Sequence, residues 1–594
     1  HQVFDLGFPR GARPHVILLQ KNLASPFLSV SRAPQSPLPP SPSLLPSKIP
    51  SKDKKKKIVK IDLDGIQDRI LAFPIADGRY AQVIGISGKM MYTIFPIDGT
   101  LKGKELGSSA SPRAPLLLYN FGEQKSEVLM RDLSLVRISA DAKTMAVRCG
   151  YRIRVLGAGR KPDKSTGKAG RVSGWIDLTR LRIPIDPVVE WKQMFAEAWR
   201  LQRDQFWTEN MSGVDWDRVR DLYAPLVDRV ATRAEFSDLL WEMQGELGTS
   251  HAYELGGDYR PTPGYFQGFL GANFKYDPKA KTWVVERMIR GDAWNNKVSS
   301  SLLAPGLGVR DGDQILEVAG RETSRKVSPQ ECLLHMAGQE IEIVVRTGSR
   351  GKKRRVVVKT LRGEFALRYR EWVETNRQYV HQVSGGRVGY LHIPDMGPRG
   401  YSEFHRYFPS EMDHEGLIVD VRWNGGGHVS PLLLEKLLRR RVGYDISRWS
   451  SPDPYPLESP SGPMAALTNE FAGSDGDIFS HCFKLYGLGP LIGKRTWGGV
   501  IGIFPRHSLV DGTVTTQPEF SFWFEDVGWG VENYGTEPDI EVETLPQDHV
   551  AGKDPQMDRA IKEVLKQLPK RKPRKMKFDK RPDRGAPKLP RKRR

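Results

Sequence analysis

The spacing of apolar residues changes along this chain of 594 residues, and this change constrains the fold more than any other feature. Between residues 58 and 180, short stretches alternate apolar and polar residues, as in 58–63 and 144–148, which predicts half-buried strands. Short, evenly spaced strands are typical of propeller blades or of a sandwich, and the stretch is too short for a closed propeller. At about 100–200 residues per domain, the length of the chain predicts three to five domains, and its 39% of hydrophobic residues is ample for packed cores.

Residues 187–260 have the apolar spacing of helices. Thr232 and Glu235 form a capping-box pattern that predicts a helix start. Apolar residues then recur at helical spacing from Phe236 to Leu247, and Gly248 is expected to end the helix. We therefore expect His251 on a turn just past the end of a helix.

The next two segments differ again in pattern. Residues 262–362 form a small β-rich module that resembles a PDZ domain in its Gly-Leu turn at 306–307 and its strand at 314–318. Such domains bind extended peptides at a sheet edge, although the module is equally consistent with a spacer. Residues 363–560 alternate strands and helices, which predicts a covered sheet with functional groups at strand ends.

The two ends of the chain have biased composition. Residues 1–57 are rich in Pro and Ser, end in a lysine run and are predicted to be a disordered linker. Residues 565–594 are predicted to be a basic disordered tail, with fourteen Lys or Arg residues against two acidic ones from Lys570 onward, in a chain of net charge +21. The tail lacks repeated aromatic residues for base stacking, so we do not expect nucleic-acid binding. The chain begins with His1, as expected of a fragment or a processed product.

Several classes of protein are disfavoured by composition. No stretch of about 18 apolar residues occurs, so we expect no membrane span. The mildly apolar residues 15–31 lack the cleavage site of a signal peptide. Cys149, Cys332 and Cys482 lie far apart and show no metal-ligand spacing, so we expect no metal, no cofactor and a reducing compartment such as the cytoplasm.

Two glycine-containing turns are candidates for chemistry. Residues 472–477 follow a predicted strand and precede a helix, which would expose Ser474 at a helix N-terminus suited to stabilising an oxyanion. The alternative is ordinary helix capping by Ser474 or Asp477. Residues 424–427, also after a strand, could supply a second backbone N–H or could simply be a flexible loop. A serine nucleophile needs an activating base, and His251 is one of twelve histidines available.

Several motifs together resemble the tricorn protease family of serine peptidases. They are the segments 247–254, 468–479, 493–499 and 530–539. The resemblance implies the C-terminal catalytic portion of such a protein, with a mixed multidomain fold (α+β and α/β). Its order would be a partial β-propeller over 58–180, a helical domain over 187–260, a PDZ-like domain over 262–362 and an α/β catalytic domain of the tail-specific protease type over 363–560. It also implies oligopeptide substrates and a homo-oligomer, a hexamer in that family.

The resemblance assigns four residues to a proton relay. Ser474 matches the nucleophile and His251 the general base, while Ser250 and Glu532 match the residues that hydrogen-bond into the histidine network. Such a relay holds the imidazole in one tautomer and supports its charged form.

Three further positions are assigned by the same resemblance. The backbone N–H groups of Gly427 and Asp475 match the oxyanion hole, and Asp445 matches the acid that selects a basic residue before the scissile bond. The related tail-specific proteases use a Ser–Lys dyad, whose lysine would align with Gly499, so a lysine base is not expected here. Since only the last propeller blades are expected, a non-catalytic peptide-binding scaffold is the alternative function.

Overall fold

The computed structural model describes residues 12–27, 59–95, 114–162, 167–259, 262–292, 295, 298–348 and 350–568, together with residues 578, 581, 582 and 585. The chain divides into two compact units, residues 1–184 and 185–594. No helix in these described ranges is both long enough and apolar enough to span a membrane.

The first unit consists of small antiparallel sheets. Its strands are β1 (His15–Ile17), β2 (Ile70–Ala72), β3 (Arg79–Ile86), β4 (Lys89–Phe95), β5 (Ala114–Asn120), β6 (Lys125–Leu133), β7 (Leu135–Ile138), β8 (Thr144–Cys149) and β9 (Arg152–Gly157). Strands β3 to β6 form one sheet in sequential order, and β7 to β9 form a second. Alternate residues of β8 are buried, as the alternating pattern predicts.

Residues 12–27 differ from the prediction of a linker over residues 1–57. Strand β1 pairs with β2, and Phe27 packs edge-on against Phe73 and Tyr119. A three-residue strand and a single aromatic anchor are too short to give a periodic signal, which is why the sequence pattern missed them. Residues 1–11 and 28–58 lie outside the described residues, as does most of the basic tail.

The second unit begins with helices α1 (Pro187–Gln205), α2 (Trp216–Tyr223) and α3 (Arg233–Gly245). The predicted capping box at the start of α3 is confirmed: Glu235 N–H donates to Thr232 Oγ1 at 3.2 Å, and Thr232 N–H donates to the Glu235 carboxylate at 3.1 Å. The helix ends at Gly245 rather than at Gly248. A turn continues to Gly248, whose φ of +62° favours glycine.

The β-rich module follows as predicted. Strand β10 (Glu254–Leu255) precedes the module, whose own elements are β11 (Ala272–Asp277), β12 (Thr282–Met288), β13 (Gln314–Val318), β14 (Arg321–Glu322), α4 (Pro329–Cys332), β15 (Glu340–Arg346) and β16 (Lys353–Lys359). Strands β11, β12, β13, β15 and β16 form an antiparallel sheet in that order, with β14 paired to β13. Strand β10 belongs elsewhere, because it pairs with a strand of the α/β domain.

The α/β domain is built on a parallel sheet in the order β17, β18, β21, β22 and β24. Its elements are α5 (Phe365–Ser384), β17 (Val388–His392), α6 (Pro398–Glu411), β18 (Gly416–Asp420), α7 (Ser430–Leu438), β19 (Gly443–Asp445), β20 (Asp453–Tyr455), β21 (Met464–Thr468), α8 (Asp475–Leu485), β22 (Leu491–Gly493), β23 (Val514–Thr515), β24 (Ile540–Glu541), α9 (Pro546–Val550) and α10 (Pro555–Gln567). All residues of β17, β18 and β21 are buried, as apolar runs in a covered sheet predict.

Strand β10 joins the helical segment to the α/β domain. Glu254 pairs with Thr515 and Leu255 with Val514 in an antiparallel register. Arg233 reinforces this junction with ion pairs to Glu254 at 2.7 Å and to Asp511 at 2.9 Å. The turn that carries His251 is thereby fixed to strand β23 of the α/β domain, which lies more than two hundred residues later in sequence.

Candidate active site

Ser474 lies at the turn between β21 and α8 in a strained conformation. Its φ of 57° and ψ of −122° are rarely adopted by residues with a side chain, and such strain typically costs about 1–3 kcal/mol. The Ser474 side chain makes no capping hydrogen bond to α8. The turn is held by Gly473 N–H, which donates to the Asn424 carbonyl at 2.9 Å. The serine hydroxyl is therefore half-buried at a helix N-terminus without serving as the helix cap.

The glycine loop packs directly against this serine. A β-carbon at Gly426, where φ is +77°, would lie 2.5 Å from the Ser474 β-carbon, so only glycine fits. Gly426 N–H donates to Asn424 Oδ1 at 2.9 Å, and the Gly426 carbonyl accepts from Met396 N–H at 2.7 Å. Within the described residues, the N–H of the adjacent Gly427 has no hydrogen-bond acceptor.

Asp475 connects the Ser474 turn to a neighbouring helix. Its carboxylate accepts from Ser430 N–H at 3.0 Å and from the Ser430 hydroxyl, at the start of α7. Burial raises the pKa of this carboxyl, while the Ser430 hydrogen bonds lower it. As the first residue of α8, Asp475 has a backbone N–H with no acceptor inside the helix.

His251 ends a chain of hydrogen bonds that starts at a carboxylate. Ser250 Oγ–H donates to Glu532 Oε2 at 3.2 Å, and His251 Nδ1 lies 2.8 Å from Ser250 Oγ. Because the Ser250 hydroxyl donates its proton to Glu532, it accepts from His251 Nδ1–H, which leaves Nε2 as the basic nitrogen. Glu532 is itself held by N–H donors of Ser250 at 2.7 Å, Val500 at 2.7 Å and Ile501 at 2.9 Å.

The His251 ring is buried between aromatic side chains. It packs edge-on against Trp497 with ring centres 5.5 Å apart, and against Tyr253 at 5.4 Å. Burial lowers the pKa of His251, and the charge of Glu532 opposes this by raising it. A buried imidazole with a lowered pKa is neutral at physiological pH, as a general base requires.

Trp497 contacts both halves of the site. A β-carbon at Gly473 would lie 2.8 Å from the Trp497 ring, and the ring also packs on His251. The structure thus brings the Ser474 turn and the His251 relay to the same tryptophan. Among the described residues, no hydrogen bond joins Ser474 to His251. Catalytic hydrogen bonds are often long without substrate and shorten when it binds.

Asp477 lies in the first turn of α8 and supports the neighbouring loop. Its carboxylate accepts from Gly498 N–H at 2.8 Å, and burial raises its pKa to about 6. The lysine of the tail-specific proteases would align with Gly499, which has no side chain that could act as a base. Lys494, nearby in sequence, makes an ion pair with Glu541 at 2.7 Å.

Asp445 lies apart from these groups. It is the exposed last residue of β19 and pairs across the hairpin with Asp453 of β20. No described residue of the relay or of the glycine loop makes a hydrogen bond or an ion pair with it.

Sequence reasoning missed two supporting residues. Trp497 lies in the motif segment 493–499, but its contacts depend on the meeting of two distant segments. Thr516 Oγ1 donates to the His251 carbonyl at 2.5 Å and accepts from Tyr253 N–H at 2.8 Å, which fixes the turn. The only local signal for Thr516 is its place beside the short strand β23.

Known families match three parts of the chain. The Tricorn protease C1 domain matches residues 187–245, the Tricorn protease PDZ domain residues 268–363, and Peptidase family S41 residues 387–542. The chain belongs to the tricorn protease family. The order of the three matches is the order in which the helical, β-rich and α/β segments follow one another here.

Individual tricorn relatives align along nearly the whole chain. Tricorn protease homolog 1 of Streptomyces coelicolor is 41% identical over 574 residues, covering 95% of this chain and 52% of the relative. Tricorn protease of Thermoplasma acidophilum is 38% identical over 532 residues, covering 89% of this chain and 48% of the relative. A crystal structure of the tricorn protease matches with a TM-score of 0.80 at 38% identity, covering 88% of this chain and 50% of that one. The chain spans about half the length of these relatives.

Proposed function

We propose that this chain hydrolyses peptide bonds as a serine peptidase, with Ser474 as nucleophile and His251 as general base. The observation that carries the proposal is the hydrogen-bond chain from Glu532 through Ser250 to His251 Nδ1. A helix cap or a core histidine would not need a carboxylate held by three N–H donors behind it. This arrangement instead fits a base whose Nε2 must accept a proton.

The proposed reaction follows the usual acyl-transfer sequence. His251 Nε2 takes the hydroxyl proton of Ser474 as Oγ attacks the peptide carbonyl carbon. The imidazolium is stabilised through Ser250 by Glu532, and it then protonates the leaving amine. Water next attacks the acyl-enzyme with His251 again as base, which releases the acid product and restores Ser474.

Two backbone N–H groups are proposed to bind the oxyanion. They belong to Gly427 and Asp475, which flank the serine and have no hydrogen-bond acceptor of their own among the described residues. The N-terminal end of α8 adds its partial positive charge. Losing one such donor typically lowers turnover about 10²–10³-fold.

Substrate and context are part of the same proposal. We propose endopeptidase cleavage of oligopeptides after basic residues, selected by Asp445, in a homo-oligomer. The exposed position of Asp445 is compatible with contact to a substrate or to a second copy of the chain. A cytoplasmic location is supported by three cysteines that form no disulfide.

We also propose the domain organisation set out from the sequence. The sequential antiparallel sheets β3–β6 and β7–β9 support propeller blades in the first unit. The family matches over 187–245, 268–363 and 387–542 support the helical, PDZ and catalytic domains.

Serine-directed labelling tests the proposal. A fluorophosphonate probe should label the wild-type full chain. The variants Ser474→Ala and His251→Ala should be labelled much more slowly than the wild type. Ser430→Ala is unsuitable as a control because the Asp475 carboxylate is held by Ser430. The variant Ser402→Ala, at a half-buried serine on α6, serves instead and should label like the wild type. Labelling of Ser474→Ala equal to that of the wild type would contradict the assignment.

A further inference from the structure

Two histidines and a buried glutamate converge far from the peptidase groups. His381 lies in the last turn of α5, Glu411 is the last residue of α6, and His414 precedes β18. One ligand atom from each lies within 4.8 Å of the others. His381 Nε2 is 2.8 Å from Glu411 Oε2, and His414 Nε2 is 3.7 Å from the same oxygen.

The distances suit a small tetrahedral metal ion. Zinc binds imidazole nitrogen at about 2.0–2.1 Å and carboxylate oxygen at about 2.0–2.2 Å, so neighbouring tetrahedral ligands lie about 3.3 Å apart. The two measured separations, 2.8 Å and 3.7 Å, fall on either side of that value. Two imidazoles and one carboxylate form a nitrogen and oxygen ligand set that favours zinc-like transition metals over calcium or magnesium.

The surrounding hydrogen bonds orient the ligand atoms. His414 Nδ1–H donates to the Gly386 carbonyl at 2.8 Å, which directs the Nε2 lone pair towards Glu411. The Glu411 carboxylate accepts from Tyr390 N–H at 3.1 Å and from Arg377 at 3.2 Å. An imidazole that donates its other N–H to a carbonyl is typical of metal-binding histidines.

The cluster is reachable from solvent although its carboxylate is buried. Glu411 is 1% exposed, whereas the side chains of His381 and His414 are 27% and 24% exposed. A metal bound by these three side chains would keep a fourth position for water. The buried Glu411 carboxylate pairs with Arg377, which also pairs with Glu374. A second cation beside Glu411 would therefore stabilise its buried negative charge.

The location indicates a structural role. Val388 and Gly416, the paired first residues of β17 and β18, mark the amino end of the parallel sheet, where the cluster lies. The Gly426 loop and Ser474 follow the opposite, carboxyl ends of β18 and β21. A metal here would connect the ends of α5 and α6 without touching substrate.

We propose that His381, Glu411 and His414 form a binding site for one zinc-like divalent transition metal that ties α5 to α6. The competing account is a proton-mediated pair of His381 with Glu411 that takes no metal. Sequence spacing alone did not predict a metal, because His381 and Glu411 are thirty residues apart and meet only when the two helices pack.

Metal titration of the full chain tests the site. After treatment with a chelator, the wild type should bind one Zn²⁺ per chain by calorimetry, and Co²⁺ in its place should give the visible absorption of a tetrahedral complex. His414→Ala should weaken Zn²⁺ binding at least about tenfold and abolish the cobalt absorption. The control His549→Ala, an exposed histidine on α9, should bind like the wild type.

The proposal is overturned if the wild type takes up no Zn²⁺, which is the result that the proton-mediated pair of His381 with Glu411 predicts. It is also overturned if His414→Ala binds Zn²⁺ as tightly as the wild type. Thermal unfolding separates a misfolded variant from a lost site: metal-free His414→Ala should unfold near the metal-free wild type, and only the wild type should be stabilised by Zn²⁺. Fluorophosphonate labelling of Ser474 is independent of this result, so either proposal can fail alone.

Discussion

Gly426 and Ser474 are in direct contact through backbone and side chain, and a β-carbon at Gly426 would lie 2.5 Å from the Ser474 β-carbon. We therefore expect Gly426→Ala to push the nucleophile from its position and to lower kcat about 10²-fold or more, because misplacement by about 1 Å has effects of that size. The loss of activity would be measured as a slower rate of peptide hydrolysis and a slower rate of fluorophosphonate labelling.

The neighbouring glycine supplies the matched control for that variant. Gly425 is exposed, and a β-carbon there meets no atom within 4 Å. Gly425→Ala should stay within about twofold of the wild type. Equal loss in both variants would indicate general damage to the loop rather than contact with Ser474.

The Ser250 hydroxyl is predicted to orient the base. Ser250→Ala removes the 2.8 Å contact to His251 Nδ1, and we expect kcat to fall about 10²-fold with little change in KM. Thr249→Ala deletes the adjacent hydroxyl, which is buried and makes no hydrogen bond with any described residue, and should have little effect. A fall in kcat/KM that comes entirely from KM would speak against an orienting role.

Glu532 is predicted to set the acid limb of the pH profile. As the proposed base, His251 would be inactive when protonated, and burial lowers its pKa, so the midpoint of the acid limb of kcat/KM should lie below about pH 6.5 in the wild type. Glu532 raises that pKa, so Glu532→Gln should move the acid limb to still lower pH while lowering the maximal rate. The control is Glu537→Gln, because Glu537 lies on the same segment but accepts a hydrogen bond from Tyr534 instead. It should leave the acid limb unchanged. An acid limb that moves to higher pH in Glu532→Gln would contradict the predicted direction of the pKa shift.

Asp445 is predicted to select basic substrates. Asp445→Asn should lower kcat/KM about 10²-fold for peptides with Lys or Arg before the cleaved bond, since a hydrogen bond to a charged group is worth about 1.5–3 kcal/mol. Peptides with leucine there should change little. Asp453→Asn, the residue directly across the hairpin, is the control. An unchanged preference in Asp445→Asn would remove this role.

Local pattern was enough to predict some parts of this fold. The capping box at Thr232, the buried run of β18 and the turn at Ser474 each depend on neighbouring residues, and each has its expected form. The end of α3 was predicted wrongly, because the apolar spacing runs on to Leu247 whereas the helix ends at Gly245 and continues as a turn.

Long-range packing accounts for what sequence could not predict. The contacts of Trp497 with His251, and those of Thr516 with the His251 turn, join segments more than two hundred residues apart. The strand at residues 15–17 gains its stability from Ile70–Ala72, not from its own pattern. No periodicity within either segment carries that information.

The separation of Ser250 and Glu532 by 282 residues has a consequence for biosynthesis. A ribosome releases the histidine turn long before it has made the carboxylate that supports it, and strand β23, which anchors the turn through β10, also comes late. Under the proposed mechanism, a growing chain holds an unsupported base until its last hundred residues have folded. Under that mechanism, a chain would gain hydrolytic activity only after its own α/β domain is complete.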